Sequence, residues 1–139
     1  LDWLVEQIDG GLYSLPPGDE ATHGDFHEGQ LHVSSGRICG LLDTDTLGPG
    51  RRADDLACLV AHLSTIQRMN SAQETRAHAL IRRWVPVFDE RVDPVELRLR
   101  AAAVIISLAT GPFRSQEPDW ERETAIMVGS AEALVRQVI

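Results

Sequence analysis

Three oxygen-bearing side chains stand out by type and spacing: Asp25, Gln30 five positions on, and Asp43. Asp25 and Gln30 lie on a polar stretch, 22–30, that runs into a short apolar segment. A second, mostly apolar run, 38–42, delivers Asp43 and, two residues later, Asp45. Phosphoryl transfer needs a carboxylate to align the attacking hydroxyl, and oxygen ligands to hold magnesium against the phosphates. Asp25 is a candidate for the aligning carboxylate, and Gln30 and Asp43 are candidate oxygen ligands for the metal. His23, Asp45 and Asp55 are supporting residues. His23 opens the same polar stretch. Asp45 is either a further acid near the metal or a loop cap. Asp55, at a helix start, either accepts backbone N–H groups from the loop or caps its own helix.

These residues converge only if the chain between them doubles back. Segments 31–33 and 37–42 read as two short strands joined through Ser34-Ser35-Gly36, a hairpin signal. A hairpin returns Asp43 to the side of Asp25 and Gln30. Upstream, the apolar positions 1, 4, 5 and 8 form a helical stripe that Gly10-Gly11 stops, and Pro16-Pro17-Gly18 marks a loop. Gly48-Pro49-Gly50 marks a second loop, after which the spacing predicts a helix over 53–68. Ser71-Ala72-Gln73-Glu74 has the form of a capping box for a third helix, which Pro86 should bend or end. Asp93-Pro94-Val95-Glu96 supplies a cap, a first-turn proline and a first-turn acid for the next helix. Its continuation, 101–109, is nearly all apolar and reads as the buried centre, ended by Thr110-Gly111-Pro112. A last helix spans about 118–138. The fold class is α+β, predominantly α-helical, in a single domain over 1–139.

The pattern His23-Gly24-Asp25, four residues, then Gln30, followed by Ile38 to Asp43 and then Asp55-Leu56-Ala57, resembles the aminoglycoside phosphotransferase family. That family shares its two-lobed fold with choline kinases and protein kinases, whose catalytic loop reads H-R-D-x-x-x-x-N. Asp43 lies 18 positions after Asp25, and Asp55 lies 12 after Asp43. The resemblance is carried by 22–63 and continued by the helical pattern beyond. It implies a kinase-like C-terminal lobe with a hairpin beside the catalytic loop, transfer of the ATP γ-phosphate to a hydroxyl of a small molecule, and magnesium as cofactor. Gln30 departs from the family's asparagine. Its extra methylene moves the amide oxygen by roughly one bond length, about 1.5 Å, so the loop must adjust if that oxygen is to meet the ion.

All thirteen basic residues are arginines. Kinases of this fold clamp ATP with a strand-borne lysine beneath a Gly-rich loop in the N-terminal lobe, and neither occurs in this sequence. The chain is therefore expected to be the C-terminal lobe alone, inactive or weakly active in isolation. Its start, Leu1, is no initiator methionine, which implies processing or excision from something longer. The net charge is −8, with no Lys or Arg before Arg37. That balance excludes a nucleic-acid binder, whose affinity comes from basic neutralisation of phosphates. It suits a cationic acceptor, or simply keeps the surface solvated. No apolar run approaches the roughly 20 residues that span a bilayer, and the start is no signal peptide. Cys39 and Cys58 each sit in apolar surroundings and read as buried free thiols of a cytoplasmic protein. Trp3, Trp84 and Trp120 fall on apolar stripes and read as core. Arg51 and Arg52 read as surface cations with a lesser claim on a phosphate.

Two other classes fit parts of the sequence. A non-catalytic kinase-like lobe would bind a partner, or form a homodimer, through the surface a second lobe would cover. A metal-dependent phosphohydrolase would use His23, Asp25, His27, Glu28 and His32 as ligands. Such enzymes need further Asp, Asn and His ligands downstream, where Asn70 is the sole asparagine and His62 and His78 are the only histidines after His32.

Overall fold

Helix capping and small-residue packing at one central helix organise the fold. The computed structural model describes residues 1–66 and 70–139. In chain order the elements are α1 (Asp2–Leu12), β1 (Glu20–Thr22), β2 (Leu31–Ser34), β3 (Arg37–Leu41), β4 (Gly48–Gly50), α2 (Arg52–Thr65), α3 (Ser71–Asp89), α4 (Pro94–Leu108), α5 (Gly111–Arg114) and α6 (Trp120–Val135). Helix α4 starts where the sequence predicts. Asp93 accepts the Glu96 N–H at 2.8 Å and Pro94 takes the first turn. Helices α1, α2, α3 and α6 all pack on α4.

The packing follows from small side chains. Ala57 and Ala61 of α2 and Ala101 and Ala102 of α4 are buried, so the two helices approach with no bulk between them. Larger side chains fill either side of that seam. Leu4 and Ile8 of α1, Leu99 and Ile105 of α4, and Met127, Ala131 and Val135 of α6 form one cluster. Leu97 joins Ala57, Val60 and Ala101 in a second. Each fully buried Leu, Ile or Val removes enough apolar surface from water to contribute about 1.5–3 kcal/mol. The mostly helical α+β class is the one the sequence predicts.

Several local expectations are corrected. Helix α1 does not stop at Gly10-Gly11 but runs on to Leu12. There Gly11 lies so close to Leu99 that a Cβ would clash with its side chain, and the glycine permits the α1–α4 approach. Helix α3 is capped one residue earlier than expected, by Asn70, whose side chain accepts the Gln73 N–H at 3.0 Å while Gln73 accepts the Asn70 N–H at 2.9 Å. It continues through Pro86 to Asp89. The end expected for the helix over 53–68 falls outside the described residues, and α2 is helical to Thr65. Cys39 is exposed on β3, while Cys58 is buried as expected. Trp3 and Trp120 are partly exposed rather than core, Trp3 stacking under the Arg136 guanidinium at 4.9 Å and Trp120 edge-on to Phe113 at 5.0 Å.

The β structure is two separate antiparallel pairs. β2 and β3 form the expected hairpin around Ser35-Gly36, both at positive φ (50° and 73°), the handedness that matches a two-residue turn to strand twist. The pair β1–β4, with Glu20 opposite Gly50 and Thr22 opposite Gly48, was not signalled by any periodicity. It ties the segment before Asp25 to the segment before α2. No described helix is long and apolar enough to cross a membrane.

Candidate active site

The loop carrying Asp25 is held from below by α2. Asp55, in the first turn of that helix, accepts the His23 N–H at 2.8 Å on one carboxylate oxygen and the Gly24 N–H at 3.0 Å on the other. Of the two sequence alternatives for Asp55, the structure makes the loop clamp. Such charge-assisted bonds are stronger than neutral ones. They fix two successive peptide planes of the loop. From the side, the Thr46 hydroxyl donates to the His23 carbonyl at 2.6 Å, and the Thr22 hydroxyl donates to the Gly48 carbonyl at 3.1 Å.

Gly24 is required here. Its φ is +85°, and a Cβ would sit 2.9 Å from the Thr46 carbonyl oxygen. Left-handed backbone costs an L-residue about 1–2 kcal/mol, and the clash adds to it. We expect Gly24→Ala to destabilise the chain by about 2 kcal/mol or more, read as a lowered chemical-denaturation midpoint.

His23 is buried and stitches the two halves of the site together. The Asp25 N–H donates to Nδ1 at 3.3 Å, so that nitrogen carries no proton. The proton is on Nε2, which donates to the Leu42 carbonyl at 2.8 Å. In turn the Leu42 N–H donates to the Gln30 carbonyl at 2.8 Å. One imidazole thus links the backbone of Asp25 to the residue preceding Asp43. The same ladder brings Gln30 to Asp43: the Gln30 Nε2 donates to Asp43 Oδ2 at 3.5 Å.

Gln30 is buried, 8% exposed, and Asp43 is exposed with φ 51°. Aspartate is among the few residues that enter that left-handed region readily. The donor set fits magnesium. Turning the Gln30 carboxamide by half a rotation presents its oxygen beside the Asp43 carboxylate, giving two hard oxygen ligands. Asp45 lies on the 3₁₀ turn after Asp43, exposed to solvent.

The Asp25 carboxylate stands between the loop and α2. Its Oδ1 accepts the Cys58 S–H at 3.8 Å, and its Oδ2 lies 3.9 Å from His27 Nε2. The side chain is 48% exposed, so its carboxylate is open to solvent. Burial, followed by the charge of Asp25, pushes the Cys58 thiol up to about 12. At neutral pH Cys58 is therefore a protonated donor to Asp25. His62, one turn further along α2, stacks on His27 with ring centroids 4.3 Å apart. Burial first, then His27, lowers the pKa of His62, against Glu28 and Asp25. Sequence reasoning missed Cys58 and His62 as neighbours of Asp25; only their four-residue spacing on one helix face could have hinted at a shared role.

Arg51 and Arg52 are taken up structurally. Arg51 donates through Nη2 to the buried Glu96 at 2.7 Å, and Arg52 pairs with Glu20 at 2.7 Å.

The pattern of the phosphotransferase enzyme family matches residues 12–92, from the end of α1 through the whole loop, hairpin and α2. An uncharacterized protein of Deinococcus radiodurans is 41% identical over 59 residues, a match that covers 41% of this chain and 17% of that protein's length. No solved structure matches the chain. The family pattern covers more than half of the sequence and contains every residue of the loop assembled above, and the chain belongs to the phosphotransferase enzyme family, the aminoglycoside phosphotransferase group its motifs resemble.

Proposed function

We propose that this chain is the substrate-side, C-terminal lobe of a kinase-like enzyme that transfers the γ-phosphate of ATP to a hydroxyl of a small molecule. The observation that carries this reading is the imidazole of His23, which accepts the Asp25 N–H and donates to the Leu42 carbonyl, tying the Asp25 loop to the residue before Asp43, itself bonded to Gln30. Asp25 aligns the acceptor hydroxyl and takes up its proton. Gln30 and Asp43 hold magnesium, which when bound neutralises charge on the phosphate oxygens. Asp55 and His23 keep the loop in register.

The ATP-clamping half is supplied from outside this stretch, since a lysine-free chain has no cation of the usual kind for the phosphates. The hairpin supports that division. Ile38 is 67% exposed, as is its cross-strand partner Val33 in large part, and Leu41 and Leu42 just before Asp43 are exposed too, apolar surface on the hairpin that a second lobe would cover. The same exposed residues favour the second reading, a non-catalytic lobe that dimerises there. The phosphohydrolase reading is weaker. His23 spends both ring nitrogens on backbone groups and His32 is exposed, so neither joins Asp25, His27 and Glu28.

Manganese as a paramagnetic stand-in for magnesium tests the metal pair. We expect Asp43→Asn to weaken manganese binding by at least tenfold without unfolding the chain, because asparagine also tolerates the left-handed backbone. Manganese binding indifferent to both Asp43→Asn and Gln30→Ala would sink the phosphotransfer assignment of these residues. Light scattering separates a monomer from the dimer of the second reading.

A further inference from the structure

The Asp25 loop and α2 also gather a set of ligands of a different chemical type from the oxygen-only pair Gln30 and Asp43. We infer that Asp25, Cys58 and His62, with Glu28 alongside, form a binding site for zinc. One ligand atom from each of Asp25, Cys58 and His62 lies within 4.8 Å of the other two, and the same holds for His27, Glu28 and His62. The two groups share His62.

The geometry selects among these residues. Cys58 and His62 are four positions apart on α2, the spacing that puts two ligands on one helix face. His27 is the poorer ligand. Its Nδ1 accepts the Gly29 N–H at 3.1 Å, which leaves the proton on Nε2, the nitrogen facing Asp25. Its ring also lies nearly parallel to His62, at 9°, and an ion in the plane of one stacked ring is out of the plane of the other. Glu28 is grouped with His27 and His62 rather than with Asp25 and Cys58, but its Oε2 is buried and has no hydrogen-bond partner among the described residues, which leaves an acceptor open on the His62 side of the site. A buried carboxylate oxygen without a partner is costly unless a cation meets it.

The mixed set of thiolate, imidazole and carboxylate suits zinc and not magnesium, which takes oxygen ligands alone. Tetrahedral zinc with bonds of about 2.0–2.3 Å holds its ligand atoms roughly 3.3–3.8 Å apart, so side-chain shifts of about 1 Å close the Asp25–Cys58–His62 triad around the ion, with water in the fourth position. On binding, the Cys58 S–H bond breaks, its proton goes to solvent, and the sulfur lone pair binds the ion. No electron changes hands. The site itself does not depend on the phosphotransfer reading. Its consequence does: zinc on the Asp25 carboxylate withdraws it from the acceptor hydroxyl, so zinc inhibits transfer.

The test uses the whole chain with Cys39→Ser, which removes the exposed thiol. Zinc is titrated in competition with a chromogenic chelator, and cobalt is followed by its thiolate charge-transfer absorption. We expect one equivalent bound, a cobalt–thiolate band that Cys58→Ser abolishes, and zinc affinity lowered at least 100-fold by Cys58→Ser and by His62→Gln, with excess magnesium unable to displace the zinc. Circular dichroism confirms that each variant is folded. Should one variant fail to fold, the other carries the comparison. Absence of one-to-one zinc binding, or binding that neither variant weakens, overturns the site. Because the readout is binding, phosphotransfer can fail while the zinc site stands, and the reverse.

Discussion

Asp25→Asn is expected to slow phosphoryl transfer by about 10²–10⁴-fold, the range that a positioned general base contributes. The substitution is nearly isosteric. The carboxamide oxygen it introduces still accepts the Cys58 S–H, and the backbone N–H at that position still donates to His23, so the loop keeps its shape. Under the role proposed for Asp25, what is lost is the negative charge that draws off the hydroxyl proton as the oxygen attacks. The loss should therefore fall on kcat, with the acceptor KM little changed. A single-turnover assay with γ-labelled ATP, magnesium and a panel of amino-sugar, choline and sugar acceptors reads it even from a weakly active chain. Transfer at an undiminished rate would remove Asp25 from the chemistry.

The second large effect lies away from the reacting groups. Glu96, on α4, is 4% exposed and accepts from two arginines: Arg51 through Nε and Nη2, and Arg100 through Nε at 2.7 Å. Arg100 also pairs with Asp54, and Arg51 donates to the Pro16 carbonyl at 3.1 Å. The cluster fastens the start of α2 to α4 and to the loop before β1. Asp55, which clamps His23 and Gly24, sits in that same first turn. Removing one member of a buried ion pair costs about 3–5 kcal/mol, because the partner is left uncompensated. The arginines are partly solvated, so Glu96→Ala should sit near the lower figure, lowering Tm by roughly 10 °C for a domain of this size. Glu96→Gln, which keeps acceptor oxygen but no charge, should cost less.

The pH dependence has a definite sign. The hydrogen bond from Arg51 comes first among the causes that hold the Glu96 carboxyl below its usual value of 4.5. Its stabilising contribution is therefore complete above that unfolded value and fades as pH falls through the lower folded one. Wild-type stability should drop in that acid window, and the Glu96→Gln variant should show a shallower drop. An identical acid profile for the two proteins would mean the pair stabilises nothing.

Local rules made much of this molecule legible. Asp93-Pro94 with Glu96 announces α4, because a cap, a fixed φ and a first-turn acid act within four residues. The hairpin around Ser35-Gly36 is equally local. The acid–amide–acid spacing of Asp25, Gln30 and Asp43 suggested the family, and the family pattern spans those residues; their individual roles are those proposed for the site. Gly10-Gly11 misled because glycine is a poor helix former by itself, yet Gly11 is needed where α1 meets Leu99. Asn70 outcompeted Ser71 as cap by one position, a shift that no sequence periodicity resolves.

What the sequence determined by itself, then, is everything set by neighbours three to five positions apart: caps, turns, apolar faces and the order of the chemical groups. What only the tertiary structure decided involves partners far apart in the chain. Glu20–Thr22 and Gly48–Gly50 became strands because they found each other, not because Gly-Pro-Gly favours extension. Glu96 looked like an ordinary first-turn acid until Arg51, 45 residues away, reached it. Cys58 and His62 meet the Asp25 loop only because alanine packing draws α2 against α4 and the Asp55 carboxylate pulls the loop down onto α2. Such contacts follow from burial and chain closure, which depend on the whole fold, and a linear pattern carries no record of them.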